Sequence, residues 1–322
     1  MAEIDISIVI VNFNTSKLLL ECIAAIDRTT DTKRLEIIVV DNGSADDSVE
    51  KLKIKFPAVR LIINTENKGF GAANNQALKI MQGRYALLLN TDATLTPGAV
   101  SKLFDFMESH PDVGMACGQL LNTDGSKQNA FANFPSFLTL MVNESLLKRL
   151  LPQKFPSKYQ TYDQPIPVDS CIGACMIVRK SAMDEVGFFD ERYFFFFEET
   201  DWAHQFKTKG WKIFFVPAAK IFHAQGQSAG KNVIARQLFY YSRYQYYRKW
   251  HPRQYHAAMT LIFMRLMVNT LLNGIGFIAT LGLDKGMRLK LSRYGQLLGW
   301  HFDGCPFPKL TSISSESASC ER

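Results

Sequence analysis

The sequence predicts an α/β protein built on a mostly parallel β-sheet that is flanked by helices. Apolar runs without alternation, such as Tyr85–Leu89, suit parallel strands that are covered on both faces. These runs alternate with segments of helical periodicity, which indicates right-handed crossovers between parallel strands. Polar residues directly follow several of the predicted strands, and ligands bind beyond the carboxyl ends of the strands in open α/β sheets.

The individual elements support this class when they are taken in chain order. Strands are predicted over residues 6–11, 35–40, 59–63 and 85–89. A helix follows Asn14 or Thr15, either of which can cap it, because apolar residues from Leu18 to Ile26 recur at helical spacing. Two further helices are predicted over residues 44–56, with acids in the first turn, and 71–81.

Composition excludes several other classes of protein. The 322 residues are 47% hydrophobic and 21% charged, which suffices for one large domain with an appendage and excludes a disordered chain. The close pair Cys171 and Cys175 has no second pair or neighbouring histidine for a zinc site, so buried, reduced thiols are expected. Acids at Glu3 and Asp5 stand where a secretory signal would be basic, so a cytoplasmic chain is expected.

The net charge of +7 is divided unevenly along the chain. Residues 1–201 carry a balance of −6 and residues 202–322 a balance of +13. No acidic residue occurs between Asp201 and Asp284. Such a region suits phosphates or anionic lipid, with a solvated basic face as the alternative. Because no nucleic-acid motif accompanies the charge, no nucleic-acid partner is predicted.

Two polar segments at strand ends are candidate ligand sites. Residues 90–92, Asn-Thr-Asp, follow a predicted buried strand, although the same residue types also form ordinary turns. Residues 67–71 contain a Gly-x-Gly between a strand and a helix, as dinucleotide-binding proteins do. Asn74 replaces the third glycine and the motif follows the third strand, so a Rossmann dehydrogenase is disfavoured. Glycines at such a turn can also simply meet its backbone geometry.

Eight motifs together carry a resemblance to a known family. They lie at residues 8–14, 41–44, 67–71, 89–92, 173–179, 187–191, 197–202 and 223–228. In order and spacing they resemble the inverting family-2 glycosyltransferases of the GT-A fold. The similarity is greatest to the bacterial rhamnosyltransferase-type members that build cell-surface polysaccharide, and it extends from residue 5 to residue 250.

The resemblance implies transfer of a sugar, rhamnose or a similar one, from a dTDP or UDP donor to a hydroxyl of a lipid-linked or polysaccharide acceptor. We expect a GT-A catalytic domain over residues 1–235, a helical region over 236–306 and a flexible tail over 307–322. The alternative is a catalytically silent relative that binds nucleotide or lipid in a polysaccharide assembly complex, suggested by Asn90 and Glu199. The sequence is also compatible with a homo-oligomer.

The same resemblance assigns residues to the donor site. Asp41 would accept the imide N–H of a uracil or thymine ring, because a carboxylate is a suitable acceptor for it. Val11 and Phe13 would line the pocket for that ring. Lys68 and Asn90 would also belong to the donor site.

A metal site and a catalytic base follow from the resemblance as well. Asp92 takes the place of the last acid of the family's metal triplet, and His223 that of a further ligand, so they would hold Mn²⁺ or Mg²⁺. The imidazole suits Mn²⁺ better, and Asn90 could add a carbonyl oxygen. Glu199 occupies the position of the family's base, where Asp is usual, and Asp201 is the second candidate. Acids that complement the dipole of a helix are the alternative for this cluster.

The region after His223 changes in character. Residues 236–256 mix tyrosines and Trp250 with arginines and lysines, which suits a membrane interface. Residues 266–283 then carry no charge, but a clean span requires about 20 strongly apolar residues. We therefore expect monotopic contact with an anionic membrane, at the inner face of the plasma membrane, rather than a span. A helix pair packed on the catalytic domain is the other alternative.

Overall fold

The structure, a computed structural model, describes residues 4–29, 34–142, 144–224 and 233–309. The chain divides into two units. The first unit consists of Met1–Phe134, Lys148–Phe194 and Glu198–Ser228, and the second of Pro135–Leu147, Phe195–Phe197 and Ala229–Arg322. The expected boundaries after residues 235 and 306 remain predictions. Residues 225–228 of the last motif, and the expected tail from residue 310, lie outside the described residues.

The first unit begins with the predicted alternation of strands and helices. The elements are β1 (Ile6–Asn12), α1 (Ser16–Thr29), β2 (Leu35–Asp41), α2 (Ser48–Lys55), β3 (Arg60–Ile63), α3 (Phe70–Leu78) and β4 (Tyr85–Leu89). The strands β3, β2, β1 and β4 lie side by side in that order, and all are parallel. Every residue of β4 is buried, which explains its apolar run without alternation.

The helix predicted over residues 44–56 begins later than predicted. α2 starts at Ser48, because Asp46 holds the preceding segment in a loop. The Asp46 carboxylate accepts the backbone N–H of Ser48 at 3.1 Å and the backbone N–H of Ser16 at 3.0 Å. It thereby satisfies one of the unpaired N–H groups at the start of α1.

The remainder of the first 223 residues completes a mixed sheet. Its elements are β5 (Ala93–Leu95), α4 (Ala99–Ser109), β6 (Val113–Leu121), β7 (Phe131–Ala132), α5 (Phe137–Met141), α6 (Glu144–Leu150), β8 (Ile166–Pro167), β9 (Ser170–Cys171), β10 (Cys175–Arg179), α7 (Lys180–Val186), α8 (Glu198–Thr208) and β11 (Lys212–His223). Among the described residues the sheet order is β3-β2-β1-β4-β10-β6-β11-β5, with β8 beside β11. The predicted α/β sheet is confirmed, and the antiparallel insertion of β10 between β4 and β6 is an addition to the prediction.

The core of the first unit surrounds this sheet. Side chains of β1, β2, β4, β6 and β10 form one continuous buried apolar cluster with residues of the flanking helices. Cys171 and Cys175 are buried free thiols, as the absence of a zinc pattern predicted.

The second unit is helical over its described residues. It contains α5, α9 (Val233–Trp250), α10 (Tyr255–Ala279) and α11 (Lys285–Phe302), with a single 3₁₀ turn at Pro252–Gln254. Tyr244 and Tyr247 of α9 pack into a core with Ile262, Leu297 and Trp300. The expectation of an aromatic belt at a membrane interface is therefore wrong for these tyrosines, because α9 must bury one face against its neighbouring helices.

The longest run of exposed apolar side chains in the described part of this unit begins at Met264 of α10, and others, such as Leu289 and Phe302, lie on α11. The exposed residues of this run are Met264, Met267, Val268, Leu271, Leu272, Ile275 and Ile278, followed by Leu281 and Leu283 in the turn before α11. Within the described residues, Pro252–Ala279 is the one helical stretch whose length and composition would allow a membrane crossing. Its mean hydropathy is 1.6, and 11% of the apolar window is buried.

The glycine at position 69 offers a test of the packing between α3 and the segment before α8. Gly69 has a φ of +87°, and a Cβ there would lie 2.5 Å from the carbonyl oxygen of Phe194. Gly98 also has a positive φ, +75°, but nothing lies within 4 Å of its Cβ position. We expect Gly69→Ala to destabilise the protein by about 1 to 3 kcal/mol more than Gly98→Ala, because only the first adds a steric clash. Chemical denaturation measures both, and equal losses would contradict the close approach.

Candidate active site

The ends of β1 and β2 are joined by a buried hydrogen-bond network around Asp41. One carboxylate oxygen of Asp41 accepts the side-chain amide of Asn12 at 2.8 Å, and the other accepts the backbone N–H of Ser44 at 3.0 Å. Asp41 is only 2% exposed. These contacts fix the carboxylate, and each oxygen retains a lone pair for a further donor. Val11 and Phe13, the other predicted contacts of the base, are half-buried.

Asn42 connects the loop after β2 with the loop after β3. Its side-chain amide donates to Asn67 at 2.9 Å, and its carbonyl oxygen accepts from Asn64 at 3.0 Å. The same oxygen accepts the backbone N–H of Lys68 at 3.1 Å. Two motifs that are distant in sequence are therefore locked together. The exposed Lys68 is fixed through its backbone.

Asp92 and His223 meet because β5 and β11 pair in antiparallel fashion. Asp92 immediately precedes β5, and the register places Ala93 opposite His223. The Nε2 atom of His223 lies 3.3 Å from Oδ1 of Asp92. Both side chains are buried, with Asp92 5% and His223 8% exposed. The structure thus brings together the two residues that the resemblance placed at one metal ion.

Gln128 determines which nitrogen of His223 faces Asp92. The amide nitrogen of Gln128 donates to the backbone carbonyl of His223 and to the side-chain carbonyl of Asn122, both at 2.6 Å. Its carbonyl oxygen therefore faces Nδ1 of His223 at 2.9 Å and accepts a hydrogen bond from the Nδ1–H group. The Nε2 lone pair of the neutral ring then points towards a carboxylate, and a proton or a cation between the two groups would relieve their repulsion.

This donor set fits a hard divalent ion that also binds phosphate. A carboxylate oxygen and an imidazole nitrogen suit Mn²⁺ or Mg²⁺, which commonly use few protein ligands and complete their shell with phosphates and water. Among the described residues, no group of three His, Cys, Asp or Glu side chains could hold a metal ion. The half-buried Asn90 adjoins the pair in sequence, and its backbone N–H donates to the carbonyl of Ala174 at 3.0 Å.

The first turn of α8 carries two neighbouring glutamates in different environments. Glu198 is 4% exposed, and its Oε2 atom has no hydrogen-bond partner among the described residues. Burial, with the nearby charge of Glu199, raises the pKa of Glu198 well above its ordinary range. Glu199 is half-buried, and burial raises its pKa to about 7, against the opposing effect of the backbone N–H groups of Glu199 and Thr200. Glu199 is therefore the carboxylate of this pair that ionises near neutral pH.

Asp201 lies in the same first turn of α8 and is held by hydrogen bonds. It is fully buried, and its two oxygens accept the hydroxyl of Tyr193 at 3.1 Å and the side-chain amide of Gln205 at 2.7 Å. These contacts suit a structural carboxylate, which holds Tyr193 and Gln205 in place.

Gln128 and Asn12 contribute to the site without having been predicted. Asn12 could have been found, because it directly follows a predicted strand, as Asn90 does. Gln128 lies between β6 and β7, and no sequence motif marks it. Its role depends on a tertiary contact with a residue 95 positions away.

Comparison with solved structures identifies the class of fold. A crystal structure of GalNAc-T7 with UDP, GalNAc and Mn²⁺ matches with a TM-score of 0.54 at 16% sequence identity. The match covers 69% of this chain and 43% of that one. The fold is the GT-A fold of glycosyltransferases, as predicted.

Comparison with sequences then identifies the family. Residues 7–187 match the model of glycosyl transferase family 2, and the chain belongs to that family. An N-acetylglucosaminyl-diphospho-decaprenol L-rhamnosyltransferase from Mycobacterium tuberculosis is 28% identical over 212 residues, which is 62% of this chain and 69% of the relative. A glycosyltransferase, GlyG, from Streptococcus pneumoniae is 26% identical over 221 residues, 67% of this chain and 69% of the relative. The predicted likeness to rhamnosyltransferases is confirmed.

The buried carboxyl group of Glu198 leads to a prediction about stability. The pKa of Glu198 in the folded chain lies above the ordinary value of 4.5. At a pH between the ordinary pKa and the folded pKa, Glu198 therefore retains a proton in the folded chain that it has released in the unfolded chain. Glu198 therefore makes the free energy of unfolding fall as the pH rises above 4.5. We expect Glu198→Gln to become progressively more stable relative to the parent as the pH rises above 4.5, by up to about 1.4 kcal/mol per pH unit, until the pH reaches the folded pKa of Glu198.

Urea denaturation across this pH range measures the difference. Glu66→Gln is the matched control, because Glu66 is exposed, and its curve should run parallel to that of the parent. A constant offset between Glu198→Gln and the parent would contradict a protonated Glu198.

Proposed function

We propose that the protein is a metal-dependent, inverting glycosyltransferase that uses a dTDP- or UDP-linked sugar, rhamnose or a similar one. The acceptor is a hydroxyl of a lipid-linked or polysaccharide intermediate in the synthesis of a cell-surface glycan. The observation that carries the proposal is the Asp92–His223 pair, 3.3 Å apart, in a chain of glycosyl transferase family 2. The M. tuberculosis relative, named for a sugar-diphosphate-lipid and for rhamnose, supports this choice of donor and acceptor.

The residues of the first unit suggest a division of roles. Asp41, with a spare lone pair on each oxygen, would accept the imide N–H of the donor's base. Asp92 and His223 would hold Mn²⁺ or Mg²⁺, and the ion, when bound, would neutralise the departing diphosphate. Glu199 would take the proton from the acceptor hydroxyl as that oxygen attacks the anomeric carbon from the face opposite the diphosphate. A single displacement of this kind inverts the configuration.

The environments of the three acids on α8 favour Glu199 as the base. A base that works at neutral pH needs a pKa near the working pH, and Glu199 has a pKa of about 7. Asp201 is completely buried and accepts two side-chain hydrogen bonds, so it would position α8. Glu198, with its strongly raised pKa, would be neutral and would leave Glu199 as the ionised group.

A catalytically silent relative is the competing function, and donor turnover distinguishes the two. The full-length protein is incubated with labelled dTDP- and UDP-sugars and Mn²⁺, with and without a lipid-linked acceptor. Release of nucleoside diphosphate from one donor supports the enzyme, even if hydrolysis is slow. Nucleotide binding without turnover of any donor would support the silent relative.

The assignment of the base gives a prediction about the rate and its pH dependence. We expect turnover by the parent to rise with pH through about 7, because Glu199 must lose its proton to act. Glu199→Gln should retain donor binding and lose about two to four orders of magnitude in turnover, the usual contribution of a general base. Steady-state kinetics across pH test both effects. The assignment is wrong if Asp201→Asn alone is inactive while it folds normally.

The metal site gives a separate prediction about binding. We expect Asp92→Asn to weaken binding of a nucleoside diphosphate in Mn²⁺ but barely to change it in chelator, because the variant loses the ion between protein and phosphate. Calorimetry with UDP and with dTDP measures this difference, and Asp124→Asn, an exposed turn aspartate, is the control. If the parent binds the nucleoside diphosphate equally well with and without metal, the proposed role of the ion is wrong.

We further infer that the second unit attaches the protein to the cytoplasmic face of an anionic membrane. The exposed apolar residues on the second half of α10 are followed on α11 by Lys285, Arg288, Lys290 and Arg293. Each basic residue near an anionic surface contributes about 1 kcal/mol, so charge and apolar insertion would act together. Attachment of this kind is peripheral and would place the enzyme near lipid-linked acceptors.

Two isoleucines with the same exposure test this attachment. Ile278 on α10 and Ile54 on α2 are both 72% exposed. We expect Ile278→Asn to weaken binding to anionic vesicles by about five- to tenfold, and Ile54→Asn to leave it unchanged, because only the former would lose apolar contact with lipid. High salt should also release much of the protein, since attraction is screened over about 8 Å at physiological ionic strength. A protein that binds neither anionic nor native lipid would refute the attachment.

A further inference from the structure

The second unit contains a cavity of about 290 Å³ between its helices. Arg236, Tyr240 and Arg243 of α9 line one side, at the spacing of residues on one helix face. Arg265 of α10 lines another side, with Leu261 and Leu266 on the same helix. The cavity therefore combines three guanidinium groups with an apolar wall.

Among the residues that the structure describes, no acid balances the positive charge in this cavity. In the described part of the chain, no carboxylate forms an ion pair with Arg236, Arg243 or Arg265. The Nε atom of Arg243 is buried and makes no well-aligned hydrogen bond to a described residue, although the hydroxyl of Tyr247 lies close to the guanidinium group. A buried guanidinium N–H without an acceptor is costly, and Arg236 and Arg265, although exposed, add two like charges beside it.

Tyr240 lies among these charges. Burial raises the pKa of its hydroxyl, and the positive charges of Arg243, Arg236 and Arg265 oppose that rise. All three guanidinium groups are thus close to one half-buried tyrosine. An anion with several oxygens would accept their N–H groups and cancel the repulsion, and arginine forks match phosphate geometry.

We propose that this cavity binds the phosphate or diphosphate group of a lipid. The arginines would bind the phosphate oxygens, and the apolar side formed by Leu261 and Leu266 would accommodate the first part of the hydrocarbon chain. The exposed apolar half of α10, which begins at Met264, continues from these residues along the helix. In the function proposed above, this group would be the diphosphate of a lipid-linked acceptor, and only this last identification rests on that function.

Binding of farnesyl diphosphate to the full-length protein tests the proposal. The measurement is made in chelator, so that a metal ion at Asp92 and His223 does not contribute. We expect farnesyl diphosphate to bind at least tenfold more tightly than inorganic pyrophosphate or farnesol, because only it offers both phosphate and chain. Arg243→Gln and Arg265→Gln should each weaken its binding about ten- to a hundredfold, as expected for a lost charge-assisted hydrogen bond.

Arg253→Gln is the matched control, because Arg253 belongs to the same unit, is exposed and does not line the cavity. It should bind farnesyl diphosphate as the parent does. Arg265 is exposed, so its variant should fold even if Arg243→Gln does not, and thermal unfolding checks both.

The possible outcomes separate this proposal from the proposed function. Equal affinity for pyrophosphate and farnesyl diphosphate would mean a soluble phosphate ligand and would overturn the lipid assignment. Equal losses in Arg265→Gln and Arg253→Gln, or no binding by the parent, would overturn the site itself. Selective loss in the cavity variants supports the site even if no donor is turned over, whereas donor turnover by the parent supports the glycosyltransferase even if this binding is absent.

Discussion

The pairing of β5 with β11 is the constraint on which the proposed chemistry depends. The register places His223 opposite Ala93, and Asp92 is therefore next to the imidazole. Gln128 orients the imidazole of His223 so that the Nε2 lone pair of the neutral ring faces the buried carboxylate of Asp92. Such a contact is unfavourable unless a cation or a proton lies between the groups. The pairing of β5 with β11 thus places an imidazole and a carboxylate where a positive charge between them would be stabilised.

The acids of α8 illustrate how one helical turn can give similar groups different roles. One carboxylate oxygen of Glu198 is buried without a hydrogen-bond partner among the described residues, and burial favours the neutral form, whereas the buried Asp201 accepts hydrogen bonds from Tyr193 and Gln205. Glu199 lies between these extremes, since part of its side chain is accessible and its pKa is near neutrality. Local environment, more than residue type, therefore distinguishes the proposed base from its neighbours.

The sequence was sufficient for the features that depend on local pattern. The apolar run of β4 and the helical spacing of α1 each reflect burial that the residues themselves encode. The position of β10 between β4 and β6, the role of Gln128 and the burial of Tyr244 could not be predicted, because each depends on which distant elements become neighbours. The start of α2 was misjudged for a similar reason, since the contact between Asp46 and Ser16 joins two separate loops.

The central claim is that Asp92 and His223 hold one divalent ion together with a nucleoside diphosphate. Anomalous diffraction at the manganese edge, from crystals grown with Mn²⁺ and UDP or dTDP, tests this claim most directly. We expect one strong peak in contact with both the Asp92 carboxylate and Nε2 of His223, and with the diphosphate. A bound nucleotide with the manganese peak elsewhere, or with none, would contradict it.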